Sequence, residues 1–286
     1  MSFYEFLLAI GENALASVLE KKQWDILSVF TGKFKENLKY YFYIGGMPEV
    51  VNDFATNRDW KKMRQTQKKI LTAYENDFSK HAPKEEIQRL NMVWQSIPAQ
   101  LGKENKKFIY GLLREGARAR EFELAIQWLV SSGLLLKIHK ISKPGMPLIA
   151  YQDIFTFKLF LNDLGLLSAM ADLDIKTIVD GDSFFTEFNG ALTEQFVMQQ
   201  LRAAEIDYTA YWTNDKSTAE VDFVIQHEGE IIPIEIKVTE NLKAKSFKLF
   251  CDKFNPPNAI RSSLSDFRKE SWMTNVPLYI IGNYFN

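Results

Sequence analysis

The sequence predicts a mixed α/β protein, α+β overall, built in three successive parts, and three observations carry that reading. Apolar residues recur at three- and four-residue spacing through the first third, the mark of amphipathic helices. The middle passes from helical spacing to a strand–turn–strand pattern. Toward the C-terminus, short alternating strands lie between helical segments, as in "IPIEIKV" (232–238), where Ile232, Ile234, Ile236 and Val238 alternate with Pro233, Glu235 and Lys237. The three parts are expected at residues 1–83, 84–180 and 181–286.

In the first part, "FYEFLLAI", "NALASVLEKKQWDILSVF" and "DWKKMRQTQKKILTAYENDF" have helical periodicity. "IGGMPEVV" interrupts them: Gly45 and Gly46 end one element, and Pro48 suits the first turn of the next. In the second, "KEEIQRLNMVWQSIPAQLG" predicts a helix ending near Pro98, because the residue before a proline disfavours helical backbone. "AREFELAIQWLVSSGLLLKI" predicts an amphipathic helix to about Gly133 that runs into a strand. "KISKPGMPLIAYQ" predicts a strand, a turn at Pro144–Gly145 and a second strand. Helices followed by a two-stranded ribbon describe a winged helix or a small helical domain with a hairpin; periodicity does not separate these. In the third, "NGALTEQFVMQQLRAA" predicts a helix with Asn189 as N-cap. Three strands follow in "DYTAYW", "AEVDFVIQ" and "EIIPIEIKV", then a helix in "KAKSFKLFCDKF" and two more strands in "NAIRSSL" and "VPLYIIG".

The totals exclude some classes. With 286 residues the chain has room for two or three small domains, and a hydrophobic content of 46% can fill their cores. The net charge of −1 provides no global field toward nucleic acid or acidic membranes, so any such contact must be a local patch. A single cysteine, Cys251, allows no internal disulfide. The start lacks a basic leader and carries Glu5 among its apolar residues, unlike a signal peptide, and no apolar run is long enough to span a bilayer. A cytoplasmic setting and no membrane partner are expected.

Chemistry concentrates in the last part. In "AEVDFVI", strict alternation places Val221, Phe223 and Ile225 on one face and Glu220, Asp222 and Val224 on the other. If this strand pairs with the next around "HEGE", Asp222 approaches Glu235. Two carboxylates close together in a partly buried site repel unless a proton or cation intervenes, and a hard divalent ion, Mg²⁺ or Mn²⁺, suits such oxygen ligands. Lys237 shares the face of Glu235, and Glu194 on the preceding helix can reach the same place. A Glu-x-Lys pair on an exposed strand is by itself more often a solvated charge pair. The full order is more specific: Glu in a helix, Asp in one strand, Glu-x-Lys in the next.

These residues resemble the PD-(D/E)xK motif of the restriction-endonuclease-like superfamily, with Val221 where a proline often precedes the Asp. The resemblance implies that Asp222, Glu235 and Lys237 are catalytic, that Asp222, Glu235 and Glu194 bind the metal, and that Lys237 assists the attacking water. It extends along the chain. "YIGGMPEVVNDF", "ILTAYENDFSKHA", "SIPAQLGKENKKFIYG", "AYQDIFTFKLFLNDLGLL" and "NGALTEQFV" resemble the bacterial and archaeal family of predicted AAA+ ATPases with a C-terminal domain of unknown function. What that family implies is a helical lid remnant, a winged helix and a nuclease-like domain, with DNA and an ATPase core or another protein as partners. No G-x-x-x-x-G-K-[ST] occurs, so this chain is not expected to bind or hydrolyse ATP alone.

The alternative from another class is a non-catalytic module that binds DNA or protein on behalf of an ATPase. A basic cluster, Lys103, Lys106, Lys107, Arg114, Arg118 and Arg120, suits weak, salt-sensitive contact with DNA phosphates, although Glu104, Glu115, Glu121 and Glu123 intersperse it as on a solvated face. His81, His139 and His227 lack zinc-site spacing. The aromatics of "KYYFYIGG" and "DIFTFKLFL" fall at core-like spacing.

Overall fold

A computed structural model describes residues 1–104, 106–176, 189–206, 208–214, 218–237 and 245–286, the side chain of Asn189 excepted. The chain is mixed α/β, with a helical N-terminal half and an eight-stranded C-terminal sheet. The expected boundary at 180–181, the N-cap role of Asn189 and strand residue Val238 lie outside the described residues.

Helix α1 (Phe3–Ala9) opens with a capping box: the Glu5 amide donates to Ser2 Oγ (3.2 Å) and the Ser2 amide donates to Glu5 Oε2 (2.6 Å). The next predicted helix is two, α2 (Asn13–Glu20) and α3 (Trp24–Val29). The chain breaks between them at Lys22, whose backbone is left-handed (φ 48°) and whose ammonium reaches the carbonyls of Tyr284 and Asn286. Helices α4 (Thr31–Ile44) and α5 (Pro48–Asn57) flank "GGM", with Gly45 at φ 77° and Pro48 in the first turn. Helix α6 (Trp60–His81) is capped by Asp59, which accepts from the amides of Lys61 and Lys62. Among the described residues no helix is long and apolar enough to cross a membrane.

Helix α7 (Ile87–Leu101) runs past Pro98 instead of ending there. The Gly102 amide still bonds the Pro98 carbonyl (2.9 Å), and the Gln100 side chain pairs with both backbone groups of Ile109. These contacts hold the last turn despite the missing amide proton. Helix α8 (Ala119–Ser131) ends before Gly133, which takes a left-handed conformation. Strands β1 (Leu135–Ile141) and β2 (Gln152–Leu161) form the expected antiparallel hairpin. It does not stand apart as a wing: β1 also pairs in parallel with β3 (Tyr208–Thr213), from His139↔Ala210 to Ile141↔Trp212. The hairpin is therefore two strands of the large sheet.

Helix α9 (Leu164–Met170) presses its first turn onto the end of α4. A Cβ on Gly165 would stand 2.1 Å from the Ile44 carbonyl oxygen, and one on Gly45 would meet Asp163 and Gly165. Gly165→Ala is expected to cost about 3 kcal/mol of stability, because backbone rather than a flexible side chain must yield. Urea unfolding checks this; a midpoint unchanged from the parent would refute the close approach.

Helix α10 (Asn189–Ala203) lies in the main core with Leu192, Phe196, Val197 and Leu201 buried. The sheet continues with β4 (Glu220–His227) and β5 (Glu230–Lys237), joined through Glu228 and Gly229, both at positive φ as a tight hairpin turn requires. After α11 (Lys245–Phe254) come β6 (Ile260–Ser263), β7 (Arg268–Lys269) and β8 (Thr274–Pro277), in the order β2-β1-β3-β4-β5-β6-β8-β7. "VPLYIIG" is not a strand throughout. After Pro277 it turns into a 3₁₀ turn (Leu278–Ile280) and the short α12 (Ile281–Tyr284), burying Leu278, Ile280 and Ile281 and stacking Tyr279 on Phe34 (centroids 4.7 Å apart). A short, wholly apolar run does not distinguish a strand from a buried helical turn.

Both sheet faces are covered. Phe223, Ile225, Ile232, Ile234 and Ile236 belong to the main core, which includes α10 and the N-terminal helices. Ala210, Trp212, Val221 and Val224 pack with Phe247, Phe250 and Cys251 of α11.

A carboxylate–lysine group where the sheet parts

Strict alternation fails in β4, and the failure builds the site. Ala210 pairs with Val224, but Trp212 pairs with Val221, so three steps of β4 oppose two of β3. This bulge puts Val221 with Val224 in the cluster under α11, while Phe223 stays in the main core. The face assignment expected for Val221 is corrected accordingly, and Asp222 sits in the bulge.

Next to it, β4 and β5 stop pairing. Their register runs from His227↔Glu230 to Phe223↔Ile234 and ends there, yet β4 continues beside β3 to Glu220 and β5 beside β6 to Lys237. Continued by one step, the register puts Asp222 opposite Glu235. The Ile236 amide, released from the ladder, donates instead to Asp222 Oδ2 (2.7 Å). A side chain thus replaces a strand as hydrogen-bond partner, and a carboxylate is fixed at the fork.

Around that fork the charges interlock. Lys237 Nζ is 2.6 Å from Glu235 Oε1; Glu235 Oε2 is buried without a hydrogen-bond partner. Glu194, on α10, is held by two lysines: Lys106 Nζ at 2.7 Å from Oε1 and Lys158 Nζ at 3.4 Å from Oε2. Lys158, on β2, is completely buried. It also lies 2.5 Å from Glu220 Oε1 and 4.8 Å above the Tyr211 ring, whose hydroxyl has no hydrogen-bond partner. The structure brings Asp222, Glu235, Lys237 and Glu194 into one neighbourhood, as expected. It adds Lys158, which sequence reasoning missed, and Glu220, which strand alternation set on the face of Asp222 without a role, and moves Lys106 there from the basic cluster. A lysine flanked by Phe157 and Leu159 in an otherwise buried run was the one available signal for Lys158.

Burial and crowding set the protonation states. Burial, then repulsion from Glu235 and Glu194, raises Asp222 well above the ordinary carboxylate range, against the attraction of Lys158. Burial likewise raises Glu235, outweighing Lys237. Burial opposes the charge of Glu194, but Lys158 and Lys106 prevail and lower it. Lys237 and Lys158 lose solvation on burial, yet their carboxylate neighbours raise both, so both stay ammonium ions at neutral pH.

A raised folded-state pKa means that ionised Asp222 weakens the fold as pH rises through the window above its unfolded value. Asp222→Asn keeps an acceptor for the Ile236 amide and removes the charge. In chelator, it is expected to melt above the parent at pH 7.5, with the gap closing as pH falls toward 4. Thermal melts across that range check it; a gap independent of pH would refute the charge account.

For a hard divalent cation, the donors that fit are Asp222 and Glu235, an oxygen pair with one orphaned buried atom. Glu194 does not fit as it stands, since both its oxygens are on lysines. Among the described residues no group of three or more His, Cys, Asp or Glu side chains is placed to hold a metal ion.

The expected basic cluster is partly consumed internally. Lys106 serves Glu194, and Arg114 pairs with Glu121 (2.6 Å). Lys103, Lys107, Arg118 and Arg120 are exposed, the last two at the start of α8. Reversing Arg118 and Arg120 to Glu is expected to weaken duplex DNA binding severalfold at low salt, read by fluorescence anisotropy; unchanged affinity would remove this surface from consideration. His139 and His227 contact the backbone carbonyls of Asp153 and Phe285.

The family described as Domain of unknown function (DUF8612) matches residues 35–177, half of the chain, and that described as Domain of unknown function (DUF4143) matches residues 189–281. No curated protein and no solved structure matches significantly. Lys106 and Lys158 fall in the first region; Glu194, Glu220, Asp222, Glu235 and Lys237 fall in the second. On half of its length the chain belongs to the DUF8612 family, and it carries a DUF4143 region that shares the charged site with it.

Proposed function

We propose that this site hydrolyses phosphodiester bonds in DNA with the help of Mg²⁺ or Mn²⁺. The observation that carries the reading is the fork between β4 and β5, which sets Asp222 against Glu235 with Lys237 beside them. Asp222 and Glu235 would hold the ion. When bound, it would polarise the phosphate and lower the pKa of a bound water. Lys237 stays charged, so it acts as a donor rather than a base: it orients the attacking water or steadies negative charge developing on the phosphate. Its side chain is 28% exposed where that of Glu235 is 6%, which suits a group facing substrate beside one facing the ion. Glu194 acts behind them, anchoring the two lysines.

DUF4143 is typically associated with the C-terminal regions of AAA-type ATPases, which supports placing this chain beside an ATPase core. A second reading, a non-catalytic DNA- or protein-binding module serving that ATPase, is favoured by one observation: Lys106 and Lys158 already neutralise Glu194. The test is cleavage of supercoiled plasmid and single-stranded DNA with Mg²⁺ or Mn²⁺. Cutting by the parent, lost in Asp222→Ala and Lys237→Ala, supports hydrolysis; no cutting by the parent supports the module.

A further inference from the structure

We propose that Lys158 is the resident cation of this site: it keeps Glu194 and Glu220 from ligating metal and so confines a divalent ion to Asp222 and Glu235. The inference rests on the reading of the site as a metal centre and assigns Lys158 as a positioning residue within it. Lys158 reaches no solvent and therefore no substrate. Its ammonium is shared between Glu194 and Glu220, which are contributed by α10 and β4, and the Tyr211 ring closes over it. Four carboxylates meet three lysines here, Lys106, Lys158 and Lys237. The one carboxylate oxygen of the group that is buried without a hydrogen-bond partner, among the described residues, is Glu235 Oε2, and Glu235 is not among Lys158's ion-pair partners. Burying an ammonium is costly unless it is paired, so its presence in a run of apolar strand residues calls for a partner, and these carboxylates supply it.

The consequence is a prediction of unusual sign. Deleting a buried charge that merely supports the fold would loosen the site and weaken ion binding. Deleting one that withholds ligands should tighten it. Titration calorimetry with Mn²⁺ as the probe is expected to show at least tenfold tighter binding for Lys158→Met than for the parent. The gain should shrink in Lys158→Met/Glu194→Gln, which still releases Glu220, and vanish when Glu220→Gln is added. Lys158→Met/Glu220→Gln keeps the net charge of the group, and it guards against a single variant that fails to fold; it too should bind Mn²⁺ more tightly than the parent. Affinity within twofold of the parent in folded Lys158→Met and Lys158→Met/Glu220→Gln, or a gain that survives loss of both Glu194 and Glu220, overturns the assignment while leaving metal binding by the parent intact. Binding by the variants but not by the parent upholds Lys158 as the stand-in cation and sinks the hydrolytic reading. Absence of binding in all proteins sinks both.

Discussion

Lys237→Ala is expected to lower DNA cleavage by about a hundredfold or more while leaving the fold intact. The side chain is partly exposed and, among the described residues, its ion-pair partner is Glu235, so its removal leaves no large cavity. On the proposed reading, what disappears is the fixed positive charge that would stand next to the reacting phosphate. Lys237→Arg keeps the charge but not the compact ammonium, and should recover only part of the rate. Asp222→Asn sharpens the comparison: it should be more stable than the parent near neutral pH and yet inactive. A site in which one substitution raises stability and removes turnover is one where strain is kept for chemistry. Glu235→Ala separates binding from hydrolysis: DNA retained but uncut supports the enzyme. If all these variants cut like the parent, the cleavage belongs to a contaminant or to another surface.

The second large effect is structural. Phe196→Ala should cost about 4 kcal/mol, a large part of the stability of an ordinary domain. Phe196 is fully buried on α10, with ring centroids 5.5 Å from Phe42, 5.8 Å from Tyr41 and 6.2 Å from Phe3. These partners come from the N-terminal helices, so the cavity weakens the N-terminal and C-terminal halves together. Urea unfolding followed by circular dichroism and by tryptophan fluorescence should shift as one transition. Two separate transitions, with only one displaced, would show that the halves unfold independently.

The helices and most strands were legible because a single periodicity governs each of them, and Glu235 and Lys237 share a strand face for the same reason. Asp222 was legible as a residue but not as a direction. Its aim depends on a bulge created by the pairing of β3 with β4, and a strand carries no local signal of its neighbour's register. Lys158 was hidden differently. Its carboxylate partners lie 36 and 62 residues away, so nothing nearby explains a lysine between Phe157 and Leu159. Lys106 looked like one member of a basic surface because charge counting cannot see that Glu194 lies beneath it. The winged-helix pattern was legible as helix and hairpin, but the union of β1 with β3 joins segments about seventy residues apart.

That union also limits how such proteins can be recombined. The two family regions look like separable cassettes along the chain, but a backbone ladder from His139↔Ala210 to Ile141↔Trp212 crosses between them. A C-terminal region transplanted without its hairpin would present the bare flank of β3 to any strand it met, and one grafted onto another helical region would need a flank of matching register and direction. The two regions share one sheet, so a simple cut-and-join at the sequence boundary severs that ladder.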